Sequence, residues 1–161
     1  GLGGTMAGSS PALTLTLFFG DALASLILYV IARATVNRGG SRRGLLEVGL
    51  WTALFVTALM TVISFISTYI YEMLSHKCPF CFLKGEYNYI GVPLYLFLFL
   101  ATATGLTRGA LNWMGTEGEL GEKGAALRKK LGQISIISLL AYIIVGYSPF
   151  VIYYIRTGRM I

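Results

Sequence analysis

Along most of the chain, apolar residues come in long continuous runs, with no strand-like alternation and no short amphipathic stripes. Four runs stand out, at residues 11–34, 45–75, 89–107 and 131–155. A bilayer crossing takes about 20 helical residues, and the runs meet that length. Lipid offers a backbone no hydrogen bonds, so each run is expected to be α-helical, and the lack of alternation argues against membrane strands. The run at 45–75 is longer than a bilayer requires, so it is expected to tilt or project beyond the lipid. Between the runs, VNRGGSRRG (36–44) reads as a short basic turn around the helix-breaking pair Gly39-Gly40. Residues 73–88 carry the cysteines. Residues 109–130 read as a glycine-rich, charged loop, in which LGEKGAALRKK suggests a short interfacial helix. The opening GLGGTMAGSSP reads as a flexible or processed end. No internal repeat is visible. The expected fold is all-α: an integral membrane four-helix bundle, with residues 1–161 as one domain.

Composition supports this and removes other classes. Of the 161 residues, 55% are hydrophobic and 12% charged, against roughly a quarter charged in soluble domains. The mean hydropathy is +0.70. A soluble globule of this size has too small a core to bury so much apolar surface. That argues against a cytosolic enzyme, a secreted disulfide scaffold and a disordered tail. The net charge of +6 does not point to nucleic acid, because the basic residues flank the apolar runs, as membrane orientation requires. Nine Lys and Arg (Arg33, Arg38, Arg42, Arg43, Arg108, Lys123, Arg128, Lys129, Lys130) fall on one side of the four-span arrangement. Four (Lys77, Lys84, Arg156, Arg159) fall on the other. The positive-inside rule then places both termini and the cysteine loop on the extracytoplasmic side of an inner or plasma membrane. Trp51 and Trp113 are expected at the inner interface, and Tyr69, Tyr71, Tyr87, Tyr89, Tyr147, Tyr153 and Tyr154 at the outer one. Arg128, Lys129 and Lys130 are expected to anchor the fourth span to anionic lipid.

Polar residues inside the runs are the next source of information. Asp21 lies about ten residues into the first run, roughly 15 Å deep at helical rise. An isolated carboxylate there costs at least about 2.5 kcal/mol, so it must face protein or water. It reads as a proton path or ligand group, or as a protonated acid tying helices together. Thr57, Thr61, Ser64 and Thr68 form a hydroxyl stripe on one face of the second run. Gly20 and Ala24 make a small-xxx-small pair in the first. Both patterns are packing signals in membrane helices. Gly146 and Pro149 are expected to bend the fourth span.

The most chemically loaded segment is His76-Lys77-Cys78-Pro79-Phe80-Cys81. Two cysteines separated by two residues lie within reach of a reversible disulfide. At a helix start, orphan amides and the helix dipole stabilise the thiolate of Cys78, and Pro79 suits the first helical position. Lys77 and His76 favour the thiolate further. In that reading Cys78 attacks and Cys81 resolves, on a face where disulfides persist. Tyr87, Tyr89 and Tyr95 follow closely and read either as a frame for a quinone ring or as an interface belt. Two alternatives stay open for the same residues. The pair also reads as a structural disulfide, and His76, Cys78 and Cys81 as a zinc or copper site with nearby carboxylate or thioether donors. No haem attachment motif is present, because Phe82 stands where the histidine is required.

A Cys-Pro-Phe-Cys pair opening a span of a four-helix membrane protein resembles the DsbB and vitamin K epoxide reductase group, over about Cys78 to Leu100 plus the span count. The resemblance implies electron transfer from a thiol partner to a quinone through Cys78 and Cys81. It also implies an acceptor site involving Lys84, with Tyr87, Tyr89 and Asp21 as further candidates. Those families use a second cysteine pair as a shuttle. This chain has two cysteines in all, so the resemblance implies that a thioredoxin-like or membrane partner supplies the second pair. In DsbB the pair follows the first span, whereas here it follows the second. The alternative reading is a non-catalytic membrane anchor or assembly subunit of a larger complex.

Overall fold

The computed structural model describes residues 41–67, 70, 83, 89–114 and 121–157, together with Thr16, Phe19, Gly20, Leu23, Ile27 and Val30. Among the described residues every regular element is helical and there is no strand. Helix α1 covers Ser41–Thr61 and runs into a π-helical turn, Val62–Ile66. Helix α2 covers Gly91–Trp113 and helix α3 covers Gly121–Thr157. All three are long and apolar enough to cross a membrane, so the chain is an integral membrane protein of all-helical class. The six described residues of the run at 11–34 are also helical.

The helix limits differ from the apolar runs in an informative way. Helix α2 continues to Trp113, through residues expected to begin a loop. Helix α3 begins at Gly121, so the basic segment before the fourth apolar run is continuous with it, not a separate interfacial helix. Polar residues mark where a helix leaves lipid; they do not end it, because backbone hydrogen bonding continues in water. Pro93 sits in the first turn of α2, where its missing N–H is one of the helix's orphan donors. Pro149 lies inside α3 and removes the N–H that would bond to the Val145 carbonyl. The Ser148 hydroxyl donates to that carbonyl at 2.8 Å.

A single spacing organises the interior. In α1 the buried positions are Gly44, Glu47, Trp51, Leu54, Ala58 and Thr61. In α2 they include Gly91, Leu94, Leu98, Ala101, Gly105 and Arg108. In α3 they include Gly132, Ser135, Leu139, Tyr142 and Gly146. Each series steps by three and four residues alternately, the 3.5-residue repeat of helices packed knobs-into-holes. Helix α2 lies between α1 and α3, and α3 also meets the π-helical turn. Towards its end the first helix keeps Leu54, Ala58, Val62 and Ile66 in the core at a strict spacing of four. An α-helix would drift by about 40° per such step; the wider π turn holds Val62 and Ile66 on the buried face. The Tyr142 hydroxyl crosses from α3 to donate to the Ala58 carbonyl at 3.2 Å.

Close approach of α1 and α2 depends on glycine. A Cβ on Gly105 would overlap the indole of Trp51, and one on Gly109 would press on Val48 at 2.9 Å. Gly105-x-x-x-Gly109 is thus a small-residue seam of the kind that lets membrane helices approach. Trp51, expected at the membrane interface, is instead 3% exposed, because the missing side chain of Gly105 makes room for its ring. Of the pair expected to pack in the first run, Ala24 lies outside the described residues, and a Cβ on Gly20 would meet nothing within 4 Å. Thr57 and Thr61 of the hydroxyl stripe donate to carbonyls of their own helix, Thr61 to Thr57 at 2.9 Å. Gly105→Leu is expected to lower stability by about 1–3 kcal/mol through overpacking. Gly49→Leu, at a site with nothing within 4 Å, should leave it nearly unchanged. Thermal unfolding of both variants in detergent checks the difference.

Candidate functional site

Two regions of the chain carry polar chemistry, and they sit at opposite ends of the α1–α2 pair. The first is the connection between them, which holds the cysteine motif. Asp21, His76, Cys78, Cys81, Lys84 and Tyr87 all lie outside the described residues. Of the proposed acceptor residues, Tyr89 is described. It immediately precedes the turn into α2, has a left-handed backbone (φ 53°) and is 59% exposed. A tyrosine in that conformation is uncommon, and it turns the chain out of the cysteine connection into α2. Tyr95, one turn into α2, is half-buried and packs against the core. Tyr147, expected in the outer aromatic belt, is also half-buried. Its ring lies 5.3 Å from that of Phe19, tilted by 36°, so one residue of the first apolar run touches α3.

No motif in the sequence marks the second region. Glu47 of α1 and Arg108 of α2 are both buried, and an Arg108 guanidinium nitrogen lies 3.3 Å from Glu47 Oε1. The Asn112 side-chain amide donates to Glu47 Oε2 at 2.8 Å, so both carboxylate oxygens are engaged. Arg108 and Asn112 are one turn apart on α2, which is why one carboxylate reaches both. Glu47 and Arg108 also occupy the same register positions as the core residues around them. Trp51–Gly105 forms the next layer, and Gly44 lies against the backbone of Trp113 beyond them. The cluster is therefore one polar layer within an otherwise apolar and glycine seam. Each residue was visible in the sequence: an acid near the start of one run, and a base just past the end of the next. In an antiparallel hairpin those two positions meet at the same depth, and depth matching was the signal that would have paired them.

Chemically, the layer is closed. An arginine near hydrocarbon is neutralised by a carboxylate whose second oxygen is held by an amide. Its evident capacity is to set the register of two helices. Among the described residues no group of three His, Cys, Asp or Glu side chains is arranged to hold a metal. The alternative zinc or copper set His76, Cys78 and Cys81 lies outside them. Comparison with protein families, with curated proteins and with solved structures found no match to this chain.

Removing one partner of a buried pair strands the other charge. Arg108→Gln is expected to destabilise by about 3–5 kcal/mol, and the double change Glu47→Gln with Arg108→Gln to recover much of that loss. A double-mutant cycle by denaturant unfolding in detergent measures the coupling. Additive losses would show that the two side chains do not depend on each other.

Proposed function

We propose that this chain is a membrane thiol–disulfide protein linked to a quinone-type acceptor. The observation that carries the proposal is the sequence Cys78-Pro79-Phe80-Cys81 in the connection between two membrane-crossing helices. The proposed arrangement has four spans, with both termini and the cysteine connection extracytoplasmic, as the distribution of Lys and Arg favours. That face is where disulfide chemistry is sustained.

In the proposed cycle a dithiol of the partner reduces the Cys78–Cys81 disulfide through a mixed disulfide and leaves as the oxidised partner. The freed thiolate of Cys78 then reacts with the acceptor, and Cys81 resolves it to re-form the bond. Net oxidation of the two thiols to a disulfide releases two electrons and two protons, which a quinone takes up to become a quinol. Lys84, Tyr87, Tyr89 and Asp21 are the residues proposed to bind that acceptor. The exposure of Tyr89 at the start of α2 supports a place for it at the membrane surface.

A second reading, a non-catalytic anchor or assembly subunit, is favoured by the way buried polar groups are paired within the bundle. There the charges of Glu47 and Arg108 neutralise each other and the buried hydroxyl of Thr102 bonds back to its own helix.

The redox state of Cys78 and Cys81 separates the two. Alkylation across redox buffers should give a reversible midpoint between roughly −120 and −270 mV, the range of exchange proteins, and Cys78→Ser should abolish exchange. A bond resisting reduction below about −300 mV marks a structural staple and leaves the anchoring reading in place.

A further inference from the structure

Helix α3 is too long for a bilayer. Its 37 residues span about 55 Å at helical rise, against about 30 Å of hydrocarbon. Its first ten residues, GEKGAALRKK, hold four basic side chains and one acid. The packing of the three helices fixes the level at which they lie.

A Cβ on Gly146 would meet Leu94 Cδ1 at 3.2 Å, so those two residues of the antiparallel helices α2 and α3 are level. Nineteen residues carry α2 from Leu94 to Trp113, and nineteen carry α3 back from Gly146 to Leu127. On the far side of α2, the backbone of Trp113 lies against Gly44. Gly44, Trp113 and Leu127 therefore share one level. Trp113 is 51% exposed there, the position an interfacial tryptophan takes.

Six cations gather around that level. Arg42 and Arg43 stand directly before Gly44. Arg128, Lys129 and Lys130 directly follow Leu127, and Lys123 precedes it by four residues. At 1.5 Å per residue, all six lie within about 6 Å of the plane through Trp113. Arg42, Arg43, Lys123, Lys129 and Lys130 are exposed and Arg128 is half-buried. Arg108 lies just below and pairs with Glu47. Exposed apolar side chains, Leu45, Leu46 and Leu127, are interleaved with the cations.

We propose that this band, built jointly by the start of α1 and the first turns of α3, binds the headgroups of anionic phospholipids. The cations match the phosphate charge, and the interleaved leucines match acyl chains, which an acidic protein surface does not supply. The site is a property of the packed bundle, because the two basic segments are about 80 residues apart in sequence and are brought level by α2.

The test uses the full chain purified in neutral detergent, titrated with phosphatidylglycerol or phosphatidylcholine. Thermal unfolding and native mass spectrometry give the readouts. Phosphatidylglycerol is expected to raise Tm and to remain bound, and phosphatidylcholine to do neither. Each cation near the membrane surface contributes about fivefold in affinity, so Arg42→Gln/Lys129→Gln/Lys130→Gln should bind phosphatidylglycerol on the order of 100-fold more weakly. Lys129→Gln alone, a milder change that protects against loss of folding, should weaken it about fivefold. Arg156→Gln, at the opposite end of α3, should bind as wild type does. Equal effects of the two lipids, or wild-type binding by the triple variant, would overturn the proposal. So would inorganic phosphate reproducing the full shift, which would mark a free-anion site.

Discussion

The contact between Glu47 and Arg108 constrains the rest of the bundle. In water a misplaced arginine finds solvent; beside hydrocarbon it finds nothing, and the cost is several kcal/mol. Helices α1 and α2 therefore have one register in which Arg108 meets Glu47 and Asn112 completes the carboxylate. A slip by one turn would separate the pair. Between helices in lipid there is little hydrophobic driving force, since a side chain leaves one apolar medium for another. Specificity must then come from polar pairs and close packing, and this seam contains both.

Register, once set, determines which side chains meet. Trp51 arrives opposite Gly105, the position in α2 with space for its ring, and Val48 arrives at Gly109. The large-to-small pairing continues the alternating three-and-four spacing of both helices. Helix α3 joins on the other side of α2, where Gly146 accommodates Ile66 and Leu94. There Tyr142 bonds to Ala58. The π-helical turn belongs to the same logic: it rotates the end of the first helix just enough to keep Val62 and Ile66 in contact with the core. The cysteine connection leaves from that end of the bundle, and the charged layer closes the other.

The repeat was present in the sequence but hidden there. In a soluble helix the buried stripe is apolar and the rest polar, so periodicity reveals the core. Here lipid-facing positions such as Leu96, Ile137 and Ile144 are exposed and as apolar as the core. Glycine, alanine, threonine and the ion pair mark the interior, so the buried stripe is no more apolar than the lipid-facing one. Thr57 and Thr61 were legible as a face, yet their hydroxyls serve their own helix. The cysteine motif was legible as chemistry from spacing alone, whereas its acceptor residues rest on resemblance and on Tyr89, whose exposure and backbone turn the structure does describe.

Composition and the continuous apolar runs by themselves determined that the chain is helical and lives in a membrane, because no other structure satisfies a backbone in lipid. The motif at Cys78 and Cys81 and the asymmetry of basic residues were likewise legible without coordinates, being local in the chain. Only the tertiary structure decided that Glu47 and Arg108 pair, that Trp51 is core rather than interface, and that Arg42 and Lys130 stand at one level. Each of those facts depends on how far one helix slides along another. That sliding is set by contacts between residues some 50 to 90 positions apart, about which no local pattern carries information.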